Sequence, residues 1–312
     1  MATTSGTSAF NLDFNDIVEE AYERAGLEVR TGYEFRTARR SFNMLTIEWA
    51  NRGINLWTIE QGQFVMNTGQ GVYALPSTTI DLLDQVIRTQ ASTPNQIDIN
   101  ISRISESTYS TLPNKLAQGR PIQVWINRQS NQSYLSSATV AATVLSTDTT
   151  ITLSTTNGLP ATGFITIDSE TIYYANVSGN QLLNCYRGQY NGSITTTAAG
   201  HSIGATVTVN NLTSVNVWPT PNAPGDQYVF VYWRMRRMQD AGNGVNIQDI
   251  PFRLIPCMVA GLAYYVGSKR NDVSPDRIAM LKSIYKEQWL LASQEDRDKA
   301  PDRFIPRQMF YR

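Results

Sequence analysis

Apolar residues recur at steps of three and four in Phe35, Ala38, Phe42, Leu45 and Trp49, which lie along one face of an α-helix. Arg36, Arg39, Arg40 and Glu48 fall off that face. Asn51, Arg52 and Gly53 stop the helix, since glycine takes the left-handed conformation that closes a helix end. Leu56, Trp57, Ile59, Phe64 and Val65 then read as extended chain. An earlier helix is predicted from an Asp13 cap to Ala25, with Phe14, Ile17, Val18, Ala21 and Ala25 inward and Gly26 as its stop. Its Asp16, Glu19 and Glu20 make it acidic; a solvated surface helix is the simplest reading, and a face toward a neighbouring subunit is the sharper one.

Strand patterns follow. Phe64 to Asn67 and Val72 to Leu75 flank Thr68-Gly69-Gln70-Gly71 and predict a hairpin. Leu82 to Thr89 is read as a strand, and Ile97, Ile99 and Ile101 alternate with polar residues as one strand. Ser105 to Tyr109 predicts a short helical turn capped by Ser105. Pro121 to Arg128 predicts a strand with Ile122, Val124 and Ile126 on one face. Tyr228 to Arg234 is a strong paired strand. Ile250-Pro251 opens a helix apolar on most sides, hence buried. A last helix is expected from Asp276 to about Asp296, capped by Ser274, with Ile278, Leu281, Ile284, Tyr285, Trp289 and Leu291 inward.

At about Ser130 the composition shifts. From there to about Asn211 the charged residues are Asp148, Asp168, Glu170 and Arg187, and serine and threonine dominate. Short strands at Thr149 to Leu153, Gly163 to Ile167, Thr171 to Ala175 and Ala205 to Val209, with turns at Asn157-Gly158, Ser178-Gly179-Asn180 and Asn191-Gly192, predict a small all-β module inserted into a host sheet. The fold expected is therefore α+β. N- and C-terminal helices form a bundle packed with a small antiparallel β domain, in a core of residues 1–129 with 212–299. An immunoglobulin-like or barrel-like module occupies 130–211, and residues 300–312 form an extended arm.

Composition narrows the function. Hydrophobic residues are 41% and charged residues 17%, below the usual share of about a quarter. With 26 basic and 26 acidic residues the formal net charge is zero, so no long-range field gathers nucleic acid. Cys185 and Cys257 are far apart and are expected as free, partly buried thiols. No apolar run has the length of a membrane helix, and MATTSGTSAF lacks the basic segment and apolar core of a secretory signal.

Catalytic signals are thin. His201 is the one histidine and is expected as a satisfied or exposed turn residue. Asp168 and Glu170 stand two apart on a strand, a spacing that frames an acid–base pair, although two solvent-facing residues are the simpler reading. There is no glycine-rich phosphate loop with its lysine and no zinc-ligand spacing, so no catalytic, metal or cofactor residues are assigned. Arg234, Arg236 and Arg237 beside Tyr232 and Trp233 suit a protein interface. The same chemistry recurs in Arg303, Phe304, Ile305, Arg307, Met309, Phe310, Tyr311 and Arg312, too apolar for an inert tail and read as a docking arm.

Four segments carry a family resemblance: the early acidic helix; ARRSFNMLTIEWANRGINLWTIEQG; PNKLAQGRPIQVWINR; and VYWRMRRMQDAGN followed by DIPFRLIPCMVAGLAYYVGSKR. In these the chain resembles the head-to-tail adaptors, or tail tubular A proteins, of short-tailed bacteriophages. Residues 130–211 depart from the shorter family members and look like the small β modules inserted in many phage structural proteins. The resemblance implies a twelve-fold homo-oligomeric ring in the virion neck, assembled in the host cytoplasm. Such a ring sits beneath the portal, carries the tail nozzle below and continues the channel through which double-stranded DNA passes without sequence-specific binding. It also implies that Arg303 to Arg312 dock on the portal and that the inserted module lies on the ring's outer rim or between the ring and tail fibres. Arg36, Arg39, Arg40, Glu48, Arg234, Arg236 and Arg237 become candidates for the contact between subunits. Two other readings are a tail-associated cell-wall hydrolase using Asp168 and Glu170, and a tail protein whose inserted module binds a host glycan.

Overall fold

The computed structural model describes residues 6, 10–53, 56–223, 228–242 and 245–296. In chain order its elements begin with α1 (Phe14–Ala25), α2 (Gly32–Asn51), β1 (Ile59–Val65), β2 (Val72–Ala74), β3 (Thr79–Thr89), β4 (Ile97–Asn100), β5 (Ser102–Arg103), α3 (Glu106–Ser110) and β6 (Gln123–Asn127). They continue with β7 (Ser133–Thr139), β8 (Ile151–Thr152), β9 (Gly163–Ile167), β10 (Glu170–Ser178), β11 (Gln181–Tyr186), β12 (Thr206–Asn210), β13 (Ser214–Trp218), β14 (Tyr228–Arg236), α4 (Ile255–Gly267) and α5 (Pro275–Glu295). The chain is a mixed α+β protein, and it divides into two compact units, residues 1–58 with 238–312 and residues 59–237. The expected core of 1–129 with 212–299 contributes to both units, and 130–211 lies within the second.

The first unit is helical. Asp13 caps α1 through a reciprocal box: its carboxylate accepts from the Asp16 amide at 2.9 Å, and the Asp16 carboxylate accepts from the Asp13 amide at 3.2 Å. Gly26 ends α1 at φ +75°. Thr31 and Glu34 form a second box that starts α2, a signal the apolar periodicity passed over. In α4, Cys257, Met258, Val259, Ala260, Leu262, Ala263 and Val266 are all buried, so the helix is covered on nearly every side, as its composition predicted. It opens after a 3₁₀ turn at Phe252–Leu254, and Phe252 is exposed. The core adds Phe14, Ile17 and Val18 of α1 and Phe42, Leu45 and Trp49 of α2. From α5 only Leu281, Tyr285 and Ala292 are buried. Leu291, expected inward, is exposed because it sits a third of a turn off the line through Leu281, Tyr285 and Ala292. Close approach is made at Gly261, where a Cβ would lie 2.8 Å from a Leu45 methyl and 2.9 Å from the Tyr285 ring.

The second unit holds three sheets, ordered β1-β14-β3-β4, β2-β13-β6-β5 and β7-β12-β9-β10-β11-β8. Apart from the parallel β5–β6 pair, neighbouring strands are antiparallel. The first two sheets share one apolar core, in which the Phe64 ring stacks on Tyr73 at 4.8 Å and on Phe230 at 5.0 Å. The third sheet, drawn entirely from the Ser/Thr-rich segment, has its own core of Ile165, Ile167, Ile172, Tyr174, Leu182 and Val207.

Two local expectations are corrected. β1 and β2 do not form a hairpin: β1 pairs with β14 and β2 with β13, so Thr68 to Gly71 carries the chain from one sheet to the other. Long-range partners won over the local turn, and the Gly69 amide donates to the Pro221 carbonyl at 2.8 Å. Ile97 to Ile101 is likewise not one strand. The chain leaves the first sheet after Asn100, and Ser102 joins the second, donating to the Ile122 carbonyl at 2.9 Å. β7 and β11 had no clear alternation and went unread.

The close approach at Gly261 sets a first prediction. Gly261→Val forces its branched side chain against Leu45 and Tyr285 and is expected to destabilise the chain by about 1–3 kcal/mol, measured by chemical denaturation. An unchanged midpoint would show that α2 and α5 do not close on α4 there.

Candidate functional site

On α2 the four polar candidates separate. Arg36 and Arg40 are exposed. Arg39 is half-buried and donates to the Gly242 carbonyl at 3.2 Å. The half-buried Glu48 accepts from the Tyr265 hydroxyl at 2.5 Å and from Tyr285 at 3.4 Å, and pairs with Arg52 at 2.5 Å. Burial, and then the neighbouring Glu48 carboxylate, pushes the Tyr265 hydroxyl up to about 12. Arg39 and Glu48 therefore already have partners in their own unit, whereas Arg36 and Arg40 belong to a stripe that also exposes Tyr33, Met44 and Ile47. Sequence reading missed the apolar members of that stripe. Steps of three and four from 33 through 36, 40, 44 and 47 were the available signal.

Beside this stripe a cleft of about 380 Å³ is lined by Tyr33, Arg40, Met44, Lys269 and Arg270 among others. The Lys269 ammonium donates to the Ser41 hydroxyl at 2.7 Å, and burial, then Arg40, draws it below the usual lysine range. On α1, Asp16, Glu19 and Glu23 are exposed one turn apart, an acidic stripe. α5 exposes Met280, Leu290 and Leu291.

The β14 arginines hold two strands together. Arg234 and Arg236 both reach Glu60 of β1, at 2.8 and 2.5 Å, and Arg234 also donates to the Thr78 and Thr79 hydroxyls. Arg237 is exposed. Arg303, Phe304, Ile305, Arg307, Met309, Phe310, Tyr311 and Arg312 lie outside the described residues.

The inserted sheet contains a charged cluster that spacing alone did not assemble. Asp168, at φ +53°, turns the chain from β9 into β10, and Glu170 begins β10. The pair does not face solvent together. Their carboxylates close on opposite nitrogens of the His201 ring: Nδ1 to Asp168 at 2.8 Å and Nε2 to Glu170 at 2.8 Å. Both contacts are hydrogen bonds when each ring nitrogen carries a proton. His201 is thus a buried clamp, and the alternative of an exposed turn residue is ruled out.

The Glu170 side chain is 0% exposed and accepts five bonds. Arg187 Nε and the Gly188 amide meet one oxygen at 2.9 and 2.8 Å; Arg187 Nη2, the Ala199 amide and His201 meet the other at 2.7, 3.0 and 2.8 Å. Burial by itself would raise this carboxyl, but the Arg187 guanidinium, the two amides and His201 together hold it below the ordinary range. A carboxylate with both oxygens so filled offers no lone pair to a substrate. Its chemistry is that of a staple, tying the Arg187-to-His201 loop to the β9–β10 hairpin.

Cys185 and Cys257 are free and buried, and burial pushes both thiols up to about 12. Among the described residues no three His, Cys, Asp or Glu side chains converge to hold a metal ion, and no helix is long and apolar enough to cross a membrane. No protein-family model matches the chain, and no curated protein sequence matches it.

The cluster sets a second prediction. Glu170→Gln leaves the Arg187 guanidinium, 8% exposed, without its counter-charge and is expected to destabilise the chain by about 3–5 kcal/mol, read by urea denaturation. The wild-type contribution also has a sign in pH. Because the folded carboxyl lies below its ordinary value of 4.5, its stabilisation is complete above that value and is lost as pH falls through it toward the folded value. A Glu170→Gln chain should therefore lose less stability between neutral pH and acid than the wild type. Parallel pH profiles would contradict the staple.

Proposed function

We propose that the chain is a structural adaptor of a short-tailed phage neck, closing as a ring on the portal and continuing the DNA channel toward the tail nozzle. Two of the segments that resemble such adaptors span α2 into β1 and the whole of α4, so the likeness lies on elements that build a core. The observation that carries the reading is the outer surface of the helical unit. α2 exposes a stripe that is both basic and apolar, Tyr33, Arg36, Arg40, Met44 and Ile47, while α1 exposes the acidic Asp16, Glu19 and Glu23. Two different, complementary faces on one unit favour a heterologous contact, the kind that repeats head to tail and closes a ring. α5, with three buried residues in 21, leaves further apolar surface for neighbours.

In this reading Arg36 and Arg40 carry the subunit contact on α2, and Arg237 is available beyond β14. Arg39, Glu48, Arg234 and Arg236 support it by fixing the elements on which the exposed residues stand. Residues 303–312 supply the portal contact. DNA passes through the ring without base-specific recognition, consistent with a net charge of zero.

Charge reversal tests the contact. Arg40→Glu, alone or with Arg36→Glu, is expected to weaken ring assembly on a portal about tenfold or more while leaving the unfolding midpoint of the free chain unchanged. Adding Glu19→Arg should restore part of the loss. Sedimentation velocity of the mixtures reads both. Assembly indifferent to Arg36 and Arg40 would remove α2 from the interface.

A further inference from the structure

β1 is the outermost strand of its sheet, hydrogen-bonded on one side to β14 and on the other to no strand among the described residues. Its phase is fixed by the bond from the Met66 amide to the Tyr228 carbonyl at 3.0 Å. In an antiparallel ladder the bonded pairs alternate, so Phe64, Gly62 and Glu60 also turn their backbone groups toward β14. The amides and carbonyls of Gln61, Gln63 and Val65 therefore point the other way, to the open edge.

Gln61, Gln63 and Val65 are exposed, and part of this edge borders a cleft. Gly62 to Val65 line a cleft of about 640 Å³ together with Arg187 to Tyr190 of the inserted module. The Gln189 backbone is paired within the module and not with β1: its amide donates to the Thr171 carbonyl at 2.7 Å, and its carbonyl accepts from Thr196 at 3.1 Å. The cleft is electrically quiet, because the one charged group lining it, Arg187, is paired with Glu170. Two buried rings, Tyr73 and Tyr232, also line it. The Tyr232 ring lies across Gly62, where a Cβ would come within 2.4 Å of it, so glycine is required for the ring to close over the strand. The edge has no proline or lysine and no bulge, the features that commonly block edge pairing.

We propose that this cleft is a strand-addition site, which takes an extended, uncharged peptide segment of a partner protein as a further strand beside β1. Amides and carbonyls two residues apart, in line and facing one way, match the backbone of another strand. Alternate side chains of the incoming segment meet the Phe64 and Tyr232 side of the cleft and are apolar. The intervening ones lie beside Gln63 and Val65 and are polar or small. The site is independent of whether the chain forms a ring.

The test uses the full-length chain and an array of synthetic seven-residue peptides that alternate apolar and uncharged polar residues, the tightest being carried into solution. Amide hydrogen exchange is expected to slow at Gln63 and Val65 on peptide addition. Gln63→Pro removes an outward amide without touching a β14 bond, and an edge strand accepts proline there. It should weaken binding about tenfold with an unchanged unfolding midpoint. Should that variant misfold, methylating alternate backbone nitrogens of the peptide gives the same loss on the wild-type chain. No binding from any peptide on the array overturns the proposal. So does binding that survives both the proline and the methylated peptide, or protection of Gln63 and Val65 by maltohexaose with no peptide bound.

Discussion

An apolar helix has to be surrounded, and that constraint on α4 organises the helical unit. Seven of its side chains, from Cys257 to Val266, are at most 2% exposed. Each fully buried Leu, Val or Met there contributes roughly 1.5–3 kcal/mol relative to exposure. No single neighbour covers such a helix, so α1, α2 and α5 must each turn an apolar line toward it. Gly261 lets Leu45 and Tyr285 close on the same turn, and the Trp49 indole donates to the Tyr285 hydroxyl at 3.2 Å within that contact. Once those inner lines are fixed, the outer ones are fixed as well. The stripe of Tyr33, Arg40, Met44 and Ile47 faces outward because Phe42, Leu45 and Trp49 face in.

The β-rich unit handles charge by a different rule. Whereas Gln85 Oε1, Gln123 Oε1 and Asn216 Nδ2 are buried without a hydrogen-bond partner among the described residues, its best-held polar groups have every lone pair met. The Glu170 carboxylate with its five donors is the clearest case, and the Gln70 carboxamide, fully buried, is another: it donates to the Val72 carbonyl and to Gln189 and accepts from Asn67. Such groups hold loops in place rather than act on ligands. Unfilled backbone capacity lies instead at the sheet edges, that of β1 among them.

Much of the helical unit was legible in the sequence. Steps of three and four marked α1 and α2, and Gly26 and Gly53, at φ +75° and +86°, marked their ends. The apolar run gave α4, and Ser274 with Pro275 gave the start of α5. The β-rich unit was legible strand by strand more than in its pairing. Tyr228 to Arg234 was plain, but nothing local told that β1 pairs with a strand about 170 residues on and not with β2, because pairing is decided by the shared core of Phe64, Tyr73 and Phe230. The charged cluster was illegible for the same reason. Asp168, Glu170, Arg187 and His201 span more than thirty residues, and spacing suggested only that the two carboxylates share a face. The outer stripe of α2 was half legible: the arginines were read, the apolar residues between them were not.

The adaptor reading depends most directly on what mass the chain forms and when. Native mass spectrometry of the full-length chain, alone and mixed with a portal ring, measures this in one experiment. The expected result is a single-chain mass alone and, on the portal, a closed ring of about twelve copies with no intermediate accumulating, as for segments that order on docking. A chain that stays a monomer beside an intact portal, or that closes into rings which ignore the portal, contradicts the proposed role.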